Sequence, residues 1–170
     1  RQHATAEVLA AYDKSLEVLR GLGAEIVPIN LPFAFNDLTR AVGRIISPEA
    51  YAVLHDLVDN DSIPLDEDVR PRVIVGKKTF AHEYVAALRL REELKQKFAQ
   101  AMAGIDAFLT PTTGTVAIPV EEADQNGTPA HFTRFGNFLE LCGLALPNGQ
   151  SAAGLPTSLQ IICRGYDEAM

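Results

Sequence analysis

The sequence predicts an α/β protein in which helices flank a mixed β-sheet. Two long stretches, 5–22 and 79–102, carry apolar residues at helical spacing, and short apolar runs bounded by Pro, Gly or Asn follow in the C-terminal third. Helices and strands in that order are typical of α/β proteins. The chain has 170 residues, 47% hydrophobic and 22% charged, enough for one compact domain with a real core and too apolar for disorder.

Val8, Tyr12, Leu16 and Leu19 share one helix face between Thr5 and Leu22. Gly21-Leu22-Gly23 then reads as a helix stop, since a dinucleotide-binding loop needs a third glycine and follows a strand instead of preceding one. Glu25 to Ile29 reads as a short strand at a sheet edge, because Pro28 removes a donor. The dense apolar stretch from Phe33 to Val58 reads as two helices interrupted by Pro48, followed by the acidic loop Asp59 to Pro64. Between Thr79 and Met102 the spacing predicts one long helix with Tyr84, Ala87, Leu88, Leu94, Phe98, Ala101 and Met102 on one face and Arg91 inside that stripe.

Ala107 to Thr110 reads as a buried strand feeding a long polar connection from Pro111 to Pro129. Thr133 to Leu141 is compatible with a helix. Leu144 to Pro147 and Thr157 to Cys163 read as two further strands joined by the loop from Asn148 to Pro156. The chain opens on Arg1 instead of Met and its predicted elements run almost to Met170, so the expectation is a segment of a longer protein.

Charge and composition narrow the function. A net charge of -7, with 15 Lys and Arg residues scattered along the chain, argues against a nucleic-acid partner. No apolar run is long enough to suggest membrane insertion. Cys142 and Cys163 are too few for a disulfide framework, which points to a cytoplasmic location. The four histidines are far apart and no metal-ligand spacing occurs, so neither a metal nor another cofactor is expected.

Other candidate motifs favour bland readings. Gly149-Gln150-Ser151-Ala152-Ala153-Gly154 is one residue too long for a nucleophile elbow and joins two strands, which makes it a turn. Asp56, Asp59, Asp61 and Asp66 lack the glycine of a calcium loop and read as a solvated segment. Cys142 with His131 is a conceivable nucleophile and base, but Cys142 sits in an apolar run. Arg91 needs a partner on its helix face, with Glu49 the expected one and a substrate carboxylate the alternative.

The ordered blocks Asp106-Ala107-Phe108-Leu109-Thr110-Pro111-Thr112-Thr113, Phe132-Thr133-Arg134-Phe135-Gly136-Asn137, Leu146-Pro147-Asn148-Gly149 and Ala153-Gly154-Leu155-Pro156-Thr157-Ser158-Leu159-Gln160-Ile161-Ile162 resemble the amidase signature family. Upstream, Leu22-Gly23-Ala24-Glu25 before Leu31-Pro32, Pro48-Glu49-Ala50-Tyr51, Val69 to Gly76 and Tyr84 with Arg91 resemble its preceding segments, so the resemblance covers almost the whole chain. It implies the C-terminal part of a single amidase signature domain, spanning 1–170 and truncated at both ends. It also implies hydrolysis of a carbon-nitrogen amide bond by a Ser-Ser-Lys triad with a backbone oxyanion site.

No Gly-Gly-Ser-Ser-like loop occurs in this sequence, so no catalytic residue is assigned here and the segment alone is expected to be inactive. The resemblance instead implies a substrate-binding wall made of Arg72, Thr110, Thr112, Thr113 and Asn137. Arg72 matches the arginine that binds the substrate carboxylate in the glutamine-hydrolysing component of aminoacyl-tRNA amidotransferases, a second reading. Ala130 stands where that branch carries an aspartate, and Asn137 to Gly143 looks more like allophanate-hydrolase-type members. A non-catalytic binding or scaffold module is a third reading. The expected partners are a small-molecule amide and the N-terminal half of the same enzyme, with self-association through apolar surface that this half would otherwise cover.

Overall fold

The computed structural model describes residues 2–124 and 129–169. Helix α1 (Ala6–Gly21) ends as the glycines predict. Gly23 adopts φ 97°, and the Ala24 and Gly23 amides donate back to the Leu19 and Arg20 carbonyls, closing a Schellman turn.

The segment 25–29 forms no strand. Its ladder groups meet no partner strand among the described residues, and Ile29, Leu31 and Phe33 instead lie against the core of the domain. Helix α2 (Leu38–Val58) is a second departure, because it runs unbroken through Pro48. Proline removes one helical hydrogen bond, but packing can override that loss. Leu38, Ala41, Val42 and Ile45 are buried before the proline and Val58 after it, so both halves are anchored.

A short helix, α3 (Val69–Ile74), and a 3₁₀ turn (Val75–Lys78) pack against α2. Gly76 is required there, since a Cβ on it would come within 2.0 Å of the Ser47 carbonyl oxygen. Helix α4 (Ala81–Ala101) follows the predicted periodicity, burying Ala87, Leu94 and Phe98. Glu83 in its first turn accepts the Phe80 amide and also takes a 2.7 Å hydrogen bond from Arg44, which ties α4 to α2.

Three strands complete the fold: β1 (Phe108–Pro111), β2 (Cys142–Gln150) and β3 (Pro156–Cys163), in the order β1-β3-β2. Helix α5 (Arg134–Phe138) is shorter than the predicted stretch and precedes β2. The class is α/β as expected, but both pairings are antiparallel, not mixed. For β2 and β3 the cause is the hairpin, since the turn between Gln150 and Pro156 is far too short for a parallel crossover. Gly154 at φ 77° and the Ser151 hydroxyl, which accepts the Leu155 amide, shape that turn.

Helix α1 packs on all three strands. On the other face, Ile162 and Phe108 join the core formed with α2, α4 and α5. Phe135, with no exposed surface, stands at its centre and meets the rings of Phe33, Phe35, Phe98 and Phe108 at centroid distances of 5.2 to 6.2 Å. Burying such a ring contributes about 1.5–3 kcal/mol.

Candidate functional site

The end of β1 is the best-organised polar region of the sheet. Period-two alternation puts Thr110 and Gln160 on the same face as Phe108 and Ile162, facing the core. A buried amide there needs partners. Gln160, 6% exposed, uses both amide hydrogens: its Nε2 donates to Thr110 Oγ1 at 2.9 Å and to the Phe132 carbonyl at 2.7 Å. One side chain therefore joins the centre of the sheet to β1 and to the segment that enters α5.

Beyond β1, Thr112 continues the ladder, with its amide 3.1 Å and its Oγ1 3.3 Å from the Ser158 carbonyl. Thr113 Oγ1 donates to the Thr115 carbonyl at 2.7 Å. The next residue is pinned from the opposite side, since the Thr5 amide donates to the Gly114 carbonyl. A Cβ on Gly114 would approach the His3 carbonyl to 2.1 Å, so this loop and the lead-in to α1 sit backbone against backbone.

The sequence-predicted residues thus divide. Thr110 is buried within β1 and turned to the core, Thr112 just beyond the strand is held by β3, and Thr113 follows in the connection that leaves it. Asn137 is exposed on α5, whose lead-in is held by Gln160. Arg72 is exposed in the last turn of α3, whose packing partners are α2 and the following 3₁₀ turn. Gln160 was visible in the sequence only as part of a motif. Its signal was an amide residue on the core-facing side of a strand otherwise lined by Ile162.

Other candidates resolve into local pairings. Arg91 is paired with Glu140 at 3.4 Å and Glu92 at 3.6 Å, not with Glu49, whose carboxylate accepts from the Tyr84 hydroxyl at 2.8 Å. The hydrogen bond from Lys95, with Arg91 nearby, holds the Glu140 carboxyl below the usual glutamate range. Sequence could not supply this partner, because Glu140 occupies a left-handed turn at φ 58° that swings it back over α4. The acidic segment is likewise divided: Asp59 bonds Tyr51 and Lys77, and Asp66 caps α3 by accepting the Asp68 and Val69 amides. Arg70 clamps the same loop by donating to the carbonyls of Val58, Asn60 and Ile63.

His131 stacks on His3 at a centroid distance of 4.0 Å, so it is not the partner of Cys142, which donates to the Arg164 carbonyl. The two histidines line an open 390 Å³ cavity together with Ile29, Leu31 and Phe35. Burial, and then the neighbouring His3, push the His131 imidazole below its ordinary range. Among the described residues no group of three or more His, Cys, Asp or Glu side chains could hold a metal ion. None of the described helices is long and apolar enough to cross a membrane.

Comparison with known proteins identifies the lineage. The Amidase family model matches residues 1–170. The chain belongs to the amidase family. It is 30% identical to a glutamyl-tRNA(Gln) amidotransferase component of Chelativorans sp. (strain BNC1) over 196 residues, covering 96% of this chain and 39% of that protein. With the protein of the same name from Methylocella silvestris the identity is 33% over 195 residues, again covering 96% and 39%. The chain therefore spans about two fifths of the length of the curated relatives it matches.

Solved structures agree on the fold. A crystal structure of an amidase superimposes with a TM-score of 0.87 at 23% identity, covering 98% of this chain and 40% of that one. An allophanate hydrolase of Kluyveromyces lactis gives 0.83 at 24% identity, covering 95% and 27%.

Proposed function

We propose that this chain is the substrate-side part of an amide hydrolase whose Ser-Ser-Lys triad is supplied by residues outside it. The observation that carries this reading is the braced end of β1 with the residues just beyond it, Thr110 to Thr113, fixed by Gln160 and Ser158 of the central strand. Positioning of a substrate by a rigid element is what amide hydrolysis asks of residues that do not themselves react. The hydroxyl hydrogens of Thr112 and Thr113 are committed to backbone carbonyls, so both oxygens remain available as acceptors. That polarity suits the N–H groups of a small amide.

In this arrangement one serine attacks the amide carbonyl, the second passes its proton towards the leaving nitrogen, and the lysine serves as base. Arg72 and Asn137 complete the substrate wall from α3 and α5. The exposed edge strand β2, with Leu144 57% and Leu146 47% exposed, is covered in the whole enzyme by the rest of the same polypeptide. Deprived of that cover, the chain self-associates and does not turn over substrate. The enzyme works in the cytoplasm on a small-molecule amide, without cofactor, metal, nucleic acid or membrane.

Ammonia release from a panel of small amides tests this. The full-length protein is expected to hydrolyse at least one of them, with Thr112→Val and Thr113→Val raising KM more than they lower kcat. The isolated chain is expected to be inactive. Turnover by the isolated chain, or tight amide binding with no turnover by the full-length protein, would sink the proposal, and the second outcome would favour a scaffold module.

A second reading, hydrolysis of glutamine for a tRNA-dependent amidotransferase, is supported by the names of the Chelativorans and Methylocella relatives and by the match of Arg72 to a carboxylate-binding arginine. Ala130 opposes it, because an amino-acid ammonium would lack the counter-charge an aspartate supplies. Glutamine turnover stimulated by tRNA, and lost in Arg72→Ala, would decide for it.

A further inference from the structure

The two cysteines, 21 positions apart, face each other across the sheet: Cys142 at the start of β2 is the direct register partner of Cys163 at the end of β3. Directly opposed residues of an antiparallel pair project to the same face, with Cα atoms roughly 4.5–5.5 Å apart. A disulfide needs a Cα separation of about 4.4–6.8 Å, so this register satisfies the requirement without moving the backbone. Both thiols are free and partly accessible. They occupy the last rung of the ladder, beside the turn that begins at Arg164, where β3 ends.

We propose that Cys142 and Cys163 form a dithiol site that a low-molecular-weight disulfide, such as oxidised glutathione, converts into an intrachain cross-strand disulfide. The Cys142 thiolate attacks one sulfur of oxidised glutathione, breaking its S–S bond and releasing one glutathione thiolate. The Cys163 thiolate then attacks Cys142 in the mixed disulfide, forming the protein S–S bond and releasing the second glutathione. The two protein thiols are oxidised, one oxidant disulfide is reduced to two thiols, and their two protons are taken up by the departing thiolates.

The order of the steps follows from the surroundings of each sulfur. Cys142 lies towards solvent and donates to the Arg164 carbonyl at 3.0 Å. Burial, with smaller contributions from Cys142 and Asp167 against an opposing one from Arg164, pushes the Cys163 thiol up. Cys163 is therefore the resolving thiol, and ring closure accelerates as the pH rises towards its titration. The bridge would fasten β2 to the central strand at the corner where the chain leaves α5.

The test is to treat the purified protein with oxidised glutathione, then count free thiols and measure intact mass after alkylation. Both thiols should disappear, with the loss of two hydrogens, no retained glutathione and a rate independent of protein concentration. Cys142→Ser and Cys163→Ser should each trap a stable glutathione adduct on the remaining cysteine, and Cys142→Ala and Cys163→Ala should repeat this result. Adducts retained on both cysteines of the parent protein, disulfide-linked dimers as the only product, or two unreacted thiols would overturn the proposal.

Discussion

Replacing Gln160 with leucine tests whether the end of β1 and the entry to α5 depend on a single amide. The substitution preserves approximate volume but removes the donor to Thr110 Oγ1 and to the Phe132 carbonyl. A buried polar group left without its partner costs about 1–3 kcal/mol. The Thr110 hydroxyl retains the freedom to rotate, so the Phe132 carbonyl bears most of the loss, offset by roughly 1 kcal/mol from the added apolar surface. A net destabilisation of about 1 kcal/mol follows. Urea unfolding of the purified protein should show it as a lower midpoint at unchanged slope. Thr110→Val should cost less, because Gln160 keeps its bond to Phe132, and the double variant should cost less than the sum by about 0.5–1 kcal/mol. A Gln160→Leu midpoint equal to the parent's, or strict additivity with Thr110→Val, would refute the reasoning.

Further outcomes follow from the same geometry. Gly76→Ala forces a methyl into the backbone of α2, 2.0 Å from the Ser47 carbonyl oxygen, and should destabilise by at least about 1–3 kcal/mol; an unchanged melting temperature would contradict that close approach. Asp59 is held below the ordinary aspartate range first by its hydrogen bond from Tyr51 and then by Lys77. Because the folded value is the lower one, this contribution is present above the unfolded aspartate value and is lost as pH falls through the folded one. Carboxyl titration by NMR should therefore place Asp59 low and Tyr51→Phe should raise it, whereas an unmoved titration would remove Tyr51 as the main cause.

Much of the fold was legible because periodicity reports burial. The α4 stripe, the helix stop at Gly23 and the strand pair closed by Gly154 all follow from local spacing or backbone freedom. What was illegible depended on distant contacts. Pro48 looks like a break until the two buried halves of α2 and the Gly76 contact are seen. The segment 25–29 has strand composition but no partner strand among the described residues. At the candidate site, the ordered motif blocks pointed to Thr110, Thr112 and Thr113, which lie at the end of β1 and just beyond it. They could not show that Gln160, 50 positions from Thr110, braces it, nor that Arg91 would find Glu140 through a left-handed turn.

The strand order has a consequence for how the protein is made. β3 is the last of the described strands and also the middle one, and neither neighbour pairs with the other. During synthesis β1 and β2 must both wait for the strand that they share until residues 156–163 emerge. Helices α1, α2 and α4 can coil meanwhile, because their hydrogen bonds are local, but the sheet closes in a single late event. Premature termination before Pro156 would therefore leave β1 and β2 without the strand that joins them.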